Sequence, residues 1–545
     1  MCGIWFCLGK GPEPNKLQKC MDALHARGPE GSRLAEIPGA GTLGFTRLAI
    51  NGLQETGMQP MFSEDRTWVC NGEIYNSDLL AADYNITTKS GSDCEVLGEL
   101  YETFCRQGIP LDGYFRALDG VFAIVIVDAG RQQIIVARDP YGVRPLYYGY
   151  TSDSASICFA SEMKALAPIC STIHAFSPGH YQTIDYSSGG KYLVHDSVAY
   201  HTIPFLKNPA YRGKGFDDAL KAVRVALEGA VAKRMMTERP VAALLSGGVD
   251  SSLIAALVSR ALKKAGAPPL RTFSIGMKGS KDLEYARKVA EWIGSVHTEV
   301  IMTEDEFFAA VPDVIRAIES YDTTTVRASV PNWLIAKAVA EQSDCKVLFN
   351  GDGADEIWGS YRYFYNAPSD HAFEEECSRL LKDIHYFDVL RSDRSISSHG
   401  LEPRTPFLDK EFVAVAKSMS THLRRPVTGQ QCEKWLMRAA FEEEFLLPPE
   451  VLWRTKEAFS DGVSGTEKSW YEIAQEKALA IVGPDWNKDD SLETVKTAEQ
   501  YYYRQCFLRT FDKAMLYTNV PYRWMPRWSP GATDPSARTL PGYGQ

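Results

Sequence analysis

No block of basic residues runs anywhere in this chain, whose Lys and Arg total 59 against 69 Asp and Glu, a formal charge of −10. That balance lacks the electrostatic footprint of a phosphate-backbone binder, so nucleic acid is not expected as a partner. Long apolar runs are missing too. No stretch reaches the roughly eighteen apolar residues that cross a bilayer, and MCGIWFCLGK has neither the basic start nor the extended apolar core of a secretion signal. A cytosolic protein without a membrane partner is expected. The 12 cysteines include no CxxC pair and the 10 histidines no HExxH spacing, which argues against structural zinc and a disulfide framework. Most thiols should be small buried hydrophobes. A Walker A loop, GxxxxGK[ST], is absent as well. With 45% hydrophobic and 23% charged residues over 545 positions, the chain is globular and long enough for two main units, each burying a core.

The first two hundred residues break into short runs such as TLGFTRLAI, WVCNGEIY, GVFAIVIVD and QQIIVARD, separated by Gly, Pro and Asn. Such spacing predicts an α+β unit in which strands dominate, with one helix over DCEVLGELYETFCRQG opened by Asp93 and stopped at Gly108. From about Phe216 the texture becomes strand, glycine turn and helix in succession: VAALL, SGGVDSS, LIAALVSRALKKAG, LRTFSIG, DLEYARKVAEWIG, VHTEVIM and, further on, KVLFN. That alternation predicts a parallel sheet with helices on both faces. Residues 202–215, with Pro204, Pro209, Gly213 and Gly215, read as a linker. The expected division is therefore 1–201, linker 202–215, 216–530 and a turn-rich tail 531–545. Gly39-Ala40-Gly41-Thr42-Leu43-Gly44 fits GxGxxG but precedes a strand, so it reads as a turn and not a phosphate loop.

Cys2 could become a nucleophile carrying its own base, since removal of Met1 would place a free α-amine beside the thiol. Alone, it could equally be one buried thiol among twelve. Its company decides the reading: Arg27-Gly28-Pro29, Arg47-Leu48-Ala49-Ile50, Asn71-Gly72-Glu73-Ile74-Tyr75-Asn76 and Gly91-Ser92-Asp93-Cys94-Glu95. In this order they resemble the class II glutamine amidotransferase domain of the N-terminal-nucleophile (αββα) fold. The resemblance implies a glutaminase in which Cys2 attacks the glutamine amide, and Asn71 and the Gly72 amide receive the oxyanion. Arg47, Leu48, Ala49, Ile50, Asn51, Asn71, Gly72, Glu73 and Asp93 would surround glutamine, Arg47 holding its carboxylate while Asp93 and Glu73 face its ammonium. One departure stands at Ala26, where the family usually has His directly before Arg-Gly-Pro; here His25 is one place earlier.

Ser246-Gly247-Gly248-Val249-Asp250-Ser251-Ser252 lies between a strand and a helix, the setting of an anion cradle. It resembles the PP-loop of ATP pyrophosphatases, in which attack falls on the α-phosphorus. Ligands of parallel sheets collect at strand carboxyl ends. Leu244, Leu245, Ser246, Gly247, Gly248, Asp250 and Ser251, with Ile275, Gly276, Asn350 and Gly351, are therefore expected around ATP. Asp250, Asp355 and Glu356 are candidate Mg²⁺ ligands. Together with Arg327-Ala328-Ser329, Gly400-Leu401-Glu402-Pro403-Arg404-Thr405-Pro406 and Trp453-Arg454-Thr455-Lys456-Glu457, these stretches resemble the glutamine-hydrolysing asparagine synthetase family over nearly the whole chain. The resemblance implies aspartate, glutamine and ATP as substrates, β-aspartyl-AMP as intermediate and a homodimer. Lys456 would clamp the α-phosphate, and Arg327 would hold phosphates or the aspartate carboxylate. Asp352 would take the place of the family's usual Glu, in a segment where Asn350 and Ala354 also depart from the usual Ser.

Overall fold

The strand Gly3–Leu8 shows how the first half is layered: Ile4, Phe6 and Leu8 enter one apolar core, while Trp5 and Cys7 enter another. A strand's period of two sorts its side chains this way. Gly120–Asp128 does the same, sending Ala123, Val125 and Val127 to the first core and Phe122, Ile124 and Ile126 to a third. Both faces are buried, which is why these strands read as continuous apolar runs. The computed structural model describes residues 1–152, 155–187, 191–203, 215–454, 456, 462–465, 468–488, 495–511, 522–529 and 534–536.

Two antiparallel sheets stack across that shared core. One runs Cys170–Ala175, Tyr147–Thr151, Ile157–Ala160, Gly3–Leu8, Gly41–Arg47, Gly31–Ile37. The other runs Tyr192–Val194, His180–Tyr186, Gln133–Arg138, Gly120–Asp128, Arg66–Ile74, Met61–Ser63. The helices Val96–Arg106 and Leu111–Ala117 cover the outer face of the second sheet through Leu97, Leu100 and Tyr114. The first of these was expected to open at Asp93. Instead Ser92 caps the preceding turn by accepting from the Cys94 amide, and Asp93 turns to accept from the Ile74 amide. Of the stretch Gly39–Gly44, Gly39 and Ala40 belong to a turn, whereas Gly41–Gly44, expected in the turn, already lie in the strand Gly41–Arg47.

The third sheet is parallel throughout, in the order Val296–Ile301, Arg271–Gly276, Val241–Leu244, Val347–Phe349, Glu402–Arg404. Val249–Lys264 and Lys281–Ile293 pack on one face, and Thr323–Gln342 with Val311–Ile318 on the other. The chain steps outward from the strand Val241–Leu244 on one side, then returns to continue on its other side. A crevice opens at that reversal, beyond the carboxyl ends of Val241–Leu244 and Val347–Phe349. The fifth strand, Glu402–Arg404, carries no apolar signal, since its ends are charged residues buried by ion pairing.

The first half buries two cores of its own, one between its sheets and one under its helices, and it also shares two further clusters with the second half. Leu48, Ile50, Val121, Tyr141 and Val143 belong to the same apolar cluster as Val223, Leu253 and Phe349, and Trp5, Cys7 and Tyr147 to that of Val314, Val330 and Leu348. Of the expected linker, residues 204–214 lie outside the described residues, as does most of the expected tail.

Candidate active sites

Cys2 leads into the strand Gly3–Leu8, whose first residue pairs with Thr46, so register brings the thiol beside Arg47 and the loop after it. Its Sγ lies 3.5 Å from the Leu48 carbonyl. Burial pushes the thiol up to about 11 and the Met1 amine down to about 5. In this structure Met1 precedes Cys2, so the Cys2 nitrogen is a peptide amide, and the amine expected as base is freed only by removal of Met1. Asn71 comes from the second sheet. Ser161 joins the two sheets, its Oγ accepting from the Ile4 amide at 3.0 Å and from Asn71 Nδ2 at 3.4 Å. Asn71 Oδ1 is buried without a partner among the described residues. A Cβ at Gly72 would stand 2.0 Å from the Val121 carbonyl, so only glycine fits beside the neighbouring strand.

Around these, Arg47 donates to the carbonyls of Gln54 (2.9 Å) and Gly52, which ties its fork to the loop carrying Leu48, Ala49, Ile50 and Asn51. Asn51 donates to Glu73 at 2.6 Å. Glu73 and Asp93 are carboxyls shifted upward by burial, Asp93 to about 6, and neighbouring acids add to the shift. Sequence reasoning missed Ser161 and Arg404; the latter reaches Glu73 from the third sheet at 3.5 Å.

At the crevice of the parallel sheet, Leu244, Leu245, Ser246, Gly248, Asp250, Ser251, Ile275, Asn350, Gly351, Asp352, Asp355 and Lys456 line one cavity. Gly247 and Gly276 shape it from behind the wall. Gly247 adopts φ +72°, and a Cβ there would meet Tyr285 at 2.5 Å; one at Gly351 would meet the Ser251 amide at 2.7 Å. The helix Val249–Lys264 has no side-chain cap, so its first amides are left for an anion. Ser251 Oγ accepts from the Ser246 amide and sits 2.9 Å from Ser246 Oγ, bracing the loop.

The opposite end of the cavity is charged. Arg391 pairs with Asp352 at 2.8 Å and with Asp388, and the Gly353 amide donates to Asp388 at 3.0 Å. Burial lifts Asp352 to about 6; Arg391 works against that lift and Asp388 adds to it. Asp355 is shifted the other way: burial would raise it, but Lys434 and Lys456 outweigh burial and hold it well below the usual carboxylate range. Arg454 lies over the Tyr285 ring and donates to Asp282 at 2.8 Å and to the Gly247 carbonyl at 3.1 Å. Arg454 stands two residues before Lys456 in the stretch that resembles the family, a signal that could have found it. Asp388 and Arg391 had no sequence signal beyond ordinary helix charges.

Two expectations are corrected. Arg327 does not line the cavity: its guanidinium is buried between Glu499 (Nε to Oε1, 2.8 Å) and Asp534 (Nη1 to Oδ1, 2.9 Å) and is spent on that pairing. Asp250, Asp355 and Glu356 do not form a ready metal site. Glu356 is off the cavity wall and accepts from Tyr361 at 2.5 Å, Asp355 is engaged by two lysines, and no cluster of three or more metal-binding side chains occurs among the described residues. Asp250 Oδ1 and Glu356 Oε2 are both buried without a hydrogen-bond partner among the described residues, and of the two residues only Asp250 lines the cavity.

The glutamine amidotransferase domain model matches residues 1–206, and the asparagine synthase model matches residues 222–371 and 366–531. The glutamine-hydrolyzing asparagine synthetase of Gallus gallus is 40% identical over 578 residues, covering 100% of this chain and 99% of that protein. This chain belongs to the asparagine synthetase family. The Homo sapiens and Mus musculus members are each 39% identical, again over 100% of this chain and 99% of their own. Cys2 lies in the segment matched by the amidotransferase model, and the crevice of the parallel sheet lies in the segment matched by the asparagine synthase model. A buried polar network joins the two: Arg27 bonds the Cys2 carbonyl, Glu162 and Asp393, and Arg394 bonds Glu162 and Glu319. His25 and Ala26 are both exposed, so the buried element of that motif is Arg27.

Proposed function

We propose that the chain converts aspartate, ATP, glutamine and water to asparagine, glutamate, AMP and pyrophosphate. The observation that carries this reading is the pairing, in one chain, of the Cys2 thiol beside the Leu48 loop with an uncapped helix start at a parallel-sheet switch point. The Cys2 thiolate attacks the glutamine δ-carbonyl, the Asn71 amide group and the Gly72 N–H receive the oxyanion, ammonia leaves, and water hydrolyses the thioester. Ammonia set free in water would be protonated and unable to attack, so it travels inside the protein between the two sites.

In the second site the adenine lies against Leu245 and Ile275, and the pyrophosphate on residues 246–251. The aspartate β-carboxylate attacks the α-phosphorus and expels pyrophosphate, leaving β-aspartyl-AMP, with Lys456 on the developing charge. Arg391 is placed to meet the α-carboxylate and Asp388 the α-ammonium, the task first expected of Arg327. Ammonia then attacks the acyl carbon, Asp352 accepts its proton, and AMP departs. Mg²⁺ fits as an ion carried on the triphosphate, with Asp250 Oδ1 as its protein oxygen, and it would offset phosphate charge when bound. The same reading assigns the glutaminase to residues 1–201 and the synthetase to 216–530, in a cytosolic homodimer that sedimentation would detect. The deciding experiment measures aspartate-dependent AMP and pyrophosphate with glutamine or ammonia as donor. Formation of ADP and phosphate instead would overturn it.

A further inference from the structure

Lys434 has no place on the cavity wall and no role in the reaction as described, yet its ammonium is the buried hinge of the phosphate site. The residue has no exposed surface, and its Nζ lies 2.5 Å from Asp250 Oδ2 and 2.5 Å from Asp355 Oδ1. The other oxygen of Asp355 holds Lys456. An alternating chain results: Asp250, Lys434, Asp355, Lys456. Its two ends face the cavity from separate segments, one on the PP-loop helix and one beyond the helix Pro449–Leu452. Glu433 extends the same brace, accepting from Arg438 Nη2 at 2.7 Å, from the Lys456 amide at 3.1 Å and from Tyr365 at 3.1 Å. Lys434 sits at φ +58°, a left-handed conformation rare for a side-chain-bearing residue. Such a backbone persists where surrounding contacts over-determine it.

A polyphosphate cannot approach two uncompensated carboxylates in a partly dry crevice without strong repulsion. We propose that Lys434 is a positioning residue of the synthetase site: it neutralises Asp250 and Asp355 from behind and, through Asp355, sets Lys456 at the α-phosphate. The proposal rests on reading this cavity as the ATP site. With both lysines present the four charges sum to zero. Without Lys434 the cluster is net negative, Asp355 keeps one cation instead of two, and Lys456 is drawn back from the cavity. A lysine that merely tied the fold together would affect ATP and aspartate alike.

The test uses the full chain with Lys434→Met and Lys434→Arg, and reads ATP binding by equilibrium dialysis with and without Mg²⁺, ammonia-dependent pyrophosphate release, and glutaminase. For Lys434→Met, ATP binding without Mg²⁺ should weaken about tenfold or more, and less with saturating Mg²⁺, which supplies the missing positive charge. The KM for aspartate should stay within about twofold and glutaminase should be unchanged. ATP binding equal to the parent in both buffers overturns the proposal, and so does an equal loss for ATP and aspartate. Should Lys434→Met not fold, Lys434→Arg decides: charge is kept but the geometry is altered, so ATP should bind while kcat for pyrophosphate release falls about fivefold or more. Parental kcat in that variant overturns the positioning role. A parent protein that binds no ATP would instead defeat the reading of the cavity.

Discussion

A thiol pushed up to about 11 is no nucleophile at neutral pH unless a base stands beside it. Cys2→Ala is therefore expected to abolish asparagine formation from glutamine while leaving synthesis from ammonia intact, as product assays with each donor would show. Equal loss with both donors would mean that the two sites are not separate. Asp352 poses a different residue-scale question, because a carboxylate on a glycine turn can serve only to bond backbone amides. Here its Oδ1 meets Arg391 at the charged end of the cavity. Asp352→Asn should then depress ammonia-dependent pyrophosphate release by about 10²–10⁴, the span of a general base, with glutaminase untouched. Asp352→Glu should stay active. Near-normal turnover of Asp352→Asn would remove its proton-accepting role.

At the scale of elements, the turn between the helix Asp388–Ser397 and the strand Glu402–Arg404 holds a half-buried His399 against Trp333, with Nε2 buried and unpartnered among the described residues. Burial, helped by Lys337, lowers this imidazole to about 4. The sign follows directly: between that value and the ordinary 6.5, the unfolded chain binds a proton that the folded chain refuses, so stability falls as pH drops through the window. His399→Gln removes that slope. Relative to the parent, the variant should gain about 2 kcal/mol between pH 7 and pH 5, read by denaturant unfolding at the two pH values. A constant difference would show that His399 titrates normally. The parallel strands and their helices were legible from the alternation of apolar runs with glycine turns. Glu402–Arg404 was not, because a three-residue strand whose ends are buried ion pairs has no apolar pattern to read.

For the whole molecule, the halves share apolar clusters and a dry ionic network in which Arg27 faces Glu162 and Asp393 at 2.9 and 2.8 Å. Removing one partner of such a network strands the others, a loss of about 3–5 kcal/mol. Arg27→Met should lower the unfolding midpoint and reduce glutamine-dependent synthesis more than glutaminase itself, because the network spans the ground between the sites. A variant with parental stability and coupling would show that the network only fills space. The sequence by itself determined the class of both halves of the fold and the family, because each is written in contiguous residues whose spacing follows a strand, a turn or a helix start. Only the tertiary structure decided which charges serve the site. Arg327 and Arg391 both lie on helices and both read as ordinary cations, yet one is closed between Glu499 and Asp534 while the other faces the cavity. An ion pair is set by the approach of residues far apart in the chain, as Arg27 with Asp393 or Lys434 with Asp250, and no local pattern encodes that approach.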